Sequence, residues 1–311
     1  MAAYLELYSS GKLRERIDAA VSLLESCSVC PRICNVNRLT VDVGKCQTLR
    51  EAMISSYGSH FGEEAPLVGK HGSGTIFFTN CNLRCLFCQN YSISQLGEGW
   101  KVSKEELARI MLLLQAEGCH NINLVSPTHV VPQVLEALEL AAEYGLHLPL
   151  VYNSGGYDSV ETLRILDGVI DIYMPDMKYD DEETARKLSD VDNYPEINRL
   201  AIKEMHRQTG DLEVDGEGVA QRGLLIRHLV LPYGLAGTKS IMSFLSNEVS
   251  GNTYVNIMDQ YHPCYKAFQI PSLRRRISST EFHEALSLAR EAGISRLDKM
   301  HRLEIVSTGS E

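Results

Sequence analysis

"TIFFTNCNLRCLFCQN", residues 75–90, is the stretch on which the reading of this chain turns. Its first five residues form a short apolar run of the kind that makes a buried strand. The run passes at once into a loop that carries Cys81, Cys85 and Cys88. Thiolates are soft ligands, suited to iron–sulfur clusters, zinc or Cu(I). Three of them on a metal that prefers four ligands leave one position for a cofactor or substrate. The plainer alternatives are a zinc half-site and isolated buried thiols; no fourth ligand follows at an ordinary zinc spacing.

Working outward, five more apolar runs read as buried strands: "NINLV" (121–125), "LPLVY" (148–152), "VIDIYM" (169–174), "GLLIRHLVL" (223–231) and "TYVNIM" (253–258). Helical stretches lie between them, several ending at a glycine such as Gly118, Gly145 or Gly293. Strand–helix units with continuous apolar strands argue for a parallel sheet with right-handed crossovers. Six units are too few for a closed eight-stranded barrel and enough for a partial one, with a doubly wound open sheet as the rival. Both architectures bind ligands at the carboxyl ends of their strands.

Composition sets the outer limits. The net charge of −10 over 311 residues provides no general attraction for nucleic acid. The basic run Arg274-Arg275-Arg276 reads as a solvated loop. No apolar run approaches the roughly 20 residues that span a bilayer, and the amino terminus lacks the apolar core of a secretion signal. The expected location is the cytoplasm. Nine cysteines in a reducing compartment, seven of them in two clusters, point to metal binding or catalysis rather than disulfides.

Cys-x3-Cys-x2-Cys with Phe87 before the last cysteine resembles the signature of the radical S-adenosylmethionine enzymes. Within that superfamily, "CPRIC", "HFGEE", "NLVSPTH" and "QYHP" make residues from about 25 to about 295 similar to proteins related to pyruvate formate-lyase activating enzyme. The resemblance implies an α/β fold, a partial (β/α)6 TIM-like barrel. It also implies a 4Fe–4S cluster on Cys81, Cys85 and Cys88 whose remaining iron chelates S-adenosylmethionine. Reductive cleavage would then yield a 5′-deoxyadenosyl radical for hydrogen abstraction, with an electron donor such as flavodoxin or ferredoxin as partner.

The other strand ends supply candidate cofactor contacts. In "SPTH" (126–129), where the wider family commonly has Gly-Gly-Glu, Ser126 and Thr128 offer oxygens and His129 a nitrogen. A helix N-cap is the compatible structural reading. Asn153 and Ser154 in "YNSGG" are placed to meet a ribose or carboxylate, with Gly155 and Gly156 allowing close backbone approach. By resemblance to the activating enzymes, Asp176 and Lys178 contact S-adenosylmethionine and Arg227 binds its methionyl carboxylate; a salt bridge inside the barrel is the alternative for the first two. Gln260, Tyr261 and His262 are expected at the same mouth, and Cys264 beside them has no visible partner. Cys119 reads as a small core residue. His60, Glu63 and Glu64 read as a polar cover or a solvated loop.

Cys27-x2-Cys30-x3-Cys34-x11-Cys46 supplies four further thiols, enough for tetrahedral zinc or for a second iron–sulfur cluster. The expected division is a helix and four-cysteine extension over 1–70, a barrel over 71–295 and a tail over 296–311. Three functions compete: activation of a glycyl-radical protein, radical modification of a peptide or small metabolite, and a non-catalytic iron–sulfur or zinc binding module. The chain lacks the extra ferredoxin-type cysteine insertion that many glycyl-radical activases carry after the cluster loop.

Overall fold

The computed structural model describes residues 2–298. All six expected strands form: β2 (Ser73–Phe78), β4 (Ile122–Val125), β5 (Leu150–Ser154), β6 (Ile172–Pro175), β8 (Ala220–Leu229) and β9 (Tyr254–Met258). They pair in parallel in that order, and β10 (Arg296–Leu297) extends the run beside β9. Every residue of β5 and β6 is buried, as their unbroken apolar runs require when helices and core cover both faces. At the other edge β1 (Ala52–His60) and β3 (Trp100–Val102) add antiparallel, and β7 (Glu213–Val214) pairs with β8 off the main path. The sheet remains open, a partial barrel.

Crossover helices cover the sheet. The helix Lys104–Ala116 starts at a reciprocal cap: Ser103 Oγ accepts from Glu106 N and the Glu106 carboxylate accepts from Ser103 N. The same device at Ser278 and Glu281 opens the helix Ser279–Glu291. No helix among the described residues is long and apolar enough to cross a membrane.

Two features differ from the sequence expectation. First, the segment 1–70 does not stand apart. Its β1 is hydrogen-bonded along most of β2, and Leu13, Ile17 and Ala20 of the helix Lys12–Ser22 are buried in the same core as the barrel helices. The stretch between that helix and β1, which carries the four cysteines, is irregular. Second, the helix Tyr194–Thr209, the longest of those described, was not anticipated. Pro195 at its start and Gly210 beyond its end, at φ 74°, mark its limits. Of the expected tail, Arg296 and Leu297 form β10, and residues 299–311 lie outside the described residues.

A shared core implies shared unfolding. Ile17→Ala should lower the stability of the whole molecule by about 2–5 kcal/mol in a single denaturant transition. A separate early transition for the amino-terminal helices would show them to be an independent unit.

Candidate active site

The carboxyl ends of β2, β4, β5, β6, β8 and β9 surround one cavity of about 540 Å³. Cys81, Cys85 and Cys88 line it, together with Ser126, Asn153, Ser154, Asp176, Lys178 and Arg227. Glu63 and Glu64 of the approach segment also face it. Residues far apart in the chain, from Glu63 to Gln260, thus converge as the parallel topology demands.

The cysteine loop is clamped from several directions. Arg84 N and Leu86 N donate to the carbonyls of Ser189 and Leu188, and Lys266 N donates to Leu86 O. Arg32 Nε donates to Asn82 O at 2.9 Å, while Asn82 Nδ2 reaches Tyr157 O at 2.7 Å. Phe87 is buried edge-on against Tyr179 and Tyr261. Each thiol has a polar neighbour: Leu83 N lies 3.4 Å from Cys81 Sγ, Ser189 Oγ 3.0 Å from Cys85 Sγ and Ser94 Oγ 3.1 Å from Cys88 Sγ. Burial pushes the Cys81 thiol up to about 12 and the Cys85 thiol upward as well, so a cation must displace their protons.

An ion triad lines the same cavity. Asp176 Oδ1 accepts from Arg227 Nε at 2.9 Å and Oδ2 from Lys178 Nζ at 2.5 Å, while Arg227 Nη2 donates to Asn153 Oδ1 at 2.7 Å. Burial opposes ionisation of Asp176, but the charges of Arg227 and Lys178 outweigh it and hold the carboxyl below its ordinary value. Arg227 and His228 point to opposite faces of β8. His228 is fully buried between Met177 O and Thr238 Oγ1, and burial lowers it to about 4, so it stays neutral.

Supporting residues absent from the sequence reading come from the unanticipated helix. Tyr194 hydroxyl donates to Gly155 O and Asp176 O and accepts from Lys178 N. Asn198 Nδ2 donates to Gly156 O and Asp176 O. A Cβ on Gly156, at φ 72°, would stand 2.1 Å from Asp176 O, so this position admits only glycine. A tyrosine and an asparagine one turn apart on a helix were the available signal.

Several candidates fall elsewhere. Thr128 is claimed by Asp158, whose carboxylate also accepts from Tyr152 and Ser154. It does not line the cavity, whereas Ser126, in the left-handed region at φ 58°, does. His129 turns away and donates from Nε2 to Thr79 O. His262 is at the rim, within 3.3 Å of Gln89 Nε2, outside the cavity lining. Tyr261 packs beneath the cysteine loop with its hydroxyl on Leu273 O. Cys264 also sits behind the loop, its thiol on the carbonyls of Phe87 and Cys88. Glu64 Oε1 accepts from Asn256 Nδ2, while His60 Nδ1 is 3.4 Å from Glu63 Oε1.

The radical SAM superfamily model matches residues 75–211, from β2 to just before β7. The chain is 35% identical over 295 residues to an uncharacterized protein of Methanocaldococcus jannaschii, an alignment that covers 92% of this chain and 80% of that one. The chain belongs to the radical SAM superfamily. Among solved structures it is similar to a radical SAM methyltransferase from Sphaerobacter thermophilus, with a TM-score of 0.50 and 14% identity over 74% of this chain and 67% of that one. At that identity the likeness shows the fold. The radical SAM loop fits its cluster in donor chemistry, since three soft donors border the same cavity as polar groups able to hold a zwitterionic cofactor; among the described residues no three such side chains stand already gathered on a metal position.

The triad carries a stability prediction. Asp176→Ala strands two part-buried cations and should destabilise the protein in denaturant unfolding, by about 1–3 kcal/mol. An unchanged midpoint would mean that Lys178 and Arg227 find other partners.

Proposed function

We propose that this chain is an enzyme that cleaves S-adenosylmethionine reductively and uses the product to abstract hydrogen from a substrate. The carrying observation is the one cavity that Cys81, Cys85 and Cys88 share with Asp176, Lys178 and Arg227. The three cysteines would hold a 4Fe–4S cluster. When bound, the cluster supplies one-electron reduction of the sulfonium; the protein supplies position and exclusion of water.

The roles of the side chains follow from their partners. Asn153 and Asp176 fix the Arg227 guanidinium at the cavity wall, so that with Lys178 it presents positive charge to a methionyl carboxylate. Ser126 offers a polar strand-end group for the amino group, while the Ser154 hydroxyl, at the same cavity, is held by Asp158. Leu83, Leu229 and Ile257 form apolar wall and keep water from the reacting region. Within this reading a glycyl-radical protein is the substrate class supported by resemblance to the activating enzymes.

Anaerobic, cluster-loaded protein given dithionite and S-adenosylmethionine should release 5′-deoxyadenosine, detected by chromatography and mass spectrometry. Cys85→Ala should lose both the product and the iron bound by this loop. Cys264→Ala should retain that iron, since its thiol faces carbonyls behind the loop. Loaded protein that binds S-adenosylmethionine without cleaving it would identify a binding module instead.

A further inference from the structure

The irregular segment before β1 buries an arginine that has no acidic partner among the described residues. Arg38 is 1% exposed, and a guanidinium remains charged at any pH at which the protein is folded. Its Nη1 donates to His129 O at 2.9 Å and Nη2 to Leu49 O at 3.1 Å, while buried Nε has no hydrogen-bond partner. Carbonyls solvate the charge in part but do not neutralise it, and a buried charge demands a counter-charge. Cys27 Sγ lies 3.7 Å from Nη1.

Cys27 belongs to a set. Cys27, Cys30 and Cys46 are buried, Cys34 is half-buried, and all four are free. They are close enough that Cys46, Cys27 and Cys34 all act electrostatically on Cys30. Lys45 N donates to Cys34 Sγ at 3.5 Å. A Cβ on Gly44 would stand 2.8 Å from Cys34 Sγ, so the returning chain presses directly on that thiol. Neutral thiols or a disulfide would leave Arg38 uncompensated. Thiolates on a cation would compensate it, because four of them carry net negative charge around a divalent ion or an iron–sulfur cube.

We propose that Cys27, Cys30, Cys34 and Cys46 bind a metal centre as thiolates, with Arg38 as its buried counter-charge. No three His, Cys, Asp or Glu side chains among the described residues stand ready to hold a metal ion, so loading must rearrange or tighten the segment. The centre also bears on the catalytic loop. Arg32, between Cys30 and Cys34, donates to Asn82 O, and the Arg84 guanidinium donates to Lys45 O. From the other side, Arg38 holds His129 O while His129 holds Thr79 O, two residues before Cys81.

The test uses the full chain with Cys81, Cys85 and Cys88 changed to alanine, prepared anaerobically and assayed for zinc, iron and acid-labile sulfide. One centre per chain is expected, colourless if zinc and brown if iron–sulfur, and lost on Cys34→Ser. Wild-type protein provides the same comparison should the triple variant not fold: Cys34→Ser should remove one centre and leave the other. Arg38→Met should weaken metal retention about ten- to a hundred-fold in chelator competition, with Arg38→Lys losing less. Emptying the site should speed hydrogen exchange at residues 79–84 without unfolding the barrel. Folded protein holding neither zinc nor iron at this segment would overturn the metal site. Equal retention by the wild type, Arg38→Lys and a folded Arg38→Met would overturn the role of Arg38.

Discussion

A carboxylate taken out of water at the end of β6 organises the mouth of this barrel. Asp176 stays ionised because Arg227 and Lys178 reach it, and satisfying all three charges fixes their neighbours. Arg227 must project inward from β8, Asn153 of β5 must occupy its remaining edge, and three strands are thereby tied at their ends. The Asp176 carbonyl needs its own donors, which brings in Tyr194 and Asn198. Their approach leaves no room for a side chain at position 156. A surface salt bridge imposes nothing of this kind, because water can replace either partner.

The cysteine loop follows the opposite strategy. It contains little regular structure, so its conformation is imposed from outside by backbone hydrogen bonds and by Phe87 lodged among tyrosines. Buried thiols that resist ionisation are poor nucleophiles on their own and become ligands only when a cation offsets the cost of their charge. Rigid surroundings and latent ligands together suit a site whose reactivity is delivered by what it binds.

The parallel strands were legible because burial on both faces writes continuous apolar runs into the sequence. β1 was not, since only Ala52 and Ile54 at its start are buried, the rest is half-buried or exposed, and its partner is antiparallel. The helix Tyr194–Thr209 escaped because its buried face is largely polar or small, with Asn198, Ala201, Glu204 and Gln208 among the apolar residues. At the site, sequence position identified which residues reach a strand end, but not which way each side chain turns. Ser126 and Thr128 are two residues apart, yet buried Asp158 claims the threonine and leaves the serine at the cavity. Cys264 likewise showed no partner in the sequence, and its hydrogen bonds to the loop's carbonyls are a tertiary fact.

The origins of the loop's clamps have a consequence for biosynthesis. Residues 81–88 leave the ribosome early, and the contacts from Arg32 and Lys45 are available almost at once. Those from Ser189 and Leu188 come a hundred residues later, and Cys264 and Lys266 come last. Until the final segment docks, Phe87 lacks Tyr261 and the back of the loop lies open. The nascent chain therefore passes through a stage in which the three thiols are assembled but incompletely enclosed. The back of the loop closes only when Tyr261, Cys264 and Lys266 dock against it.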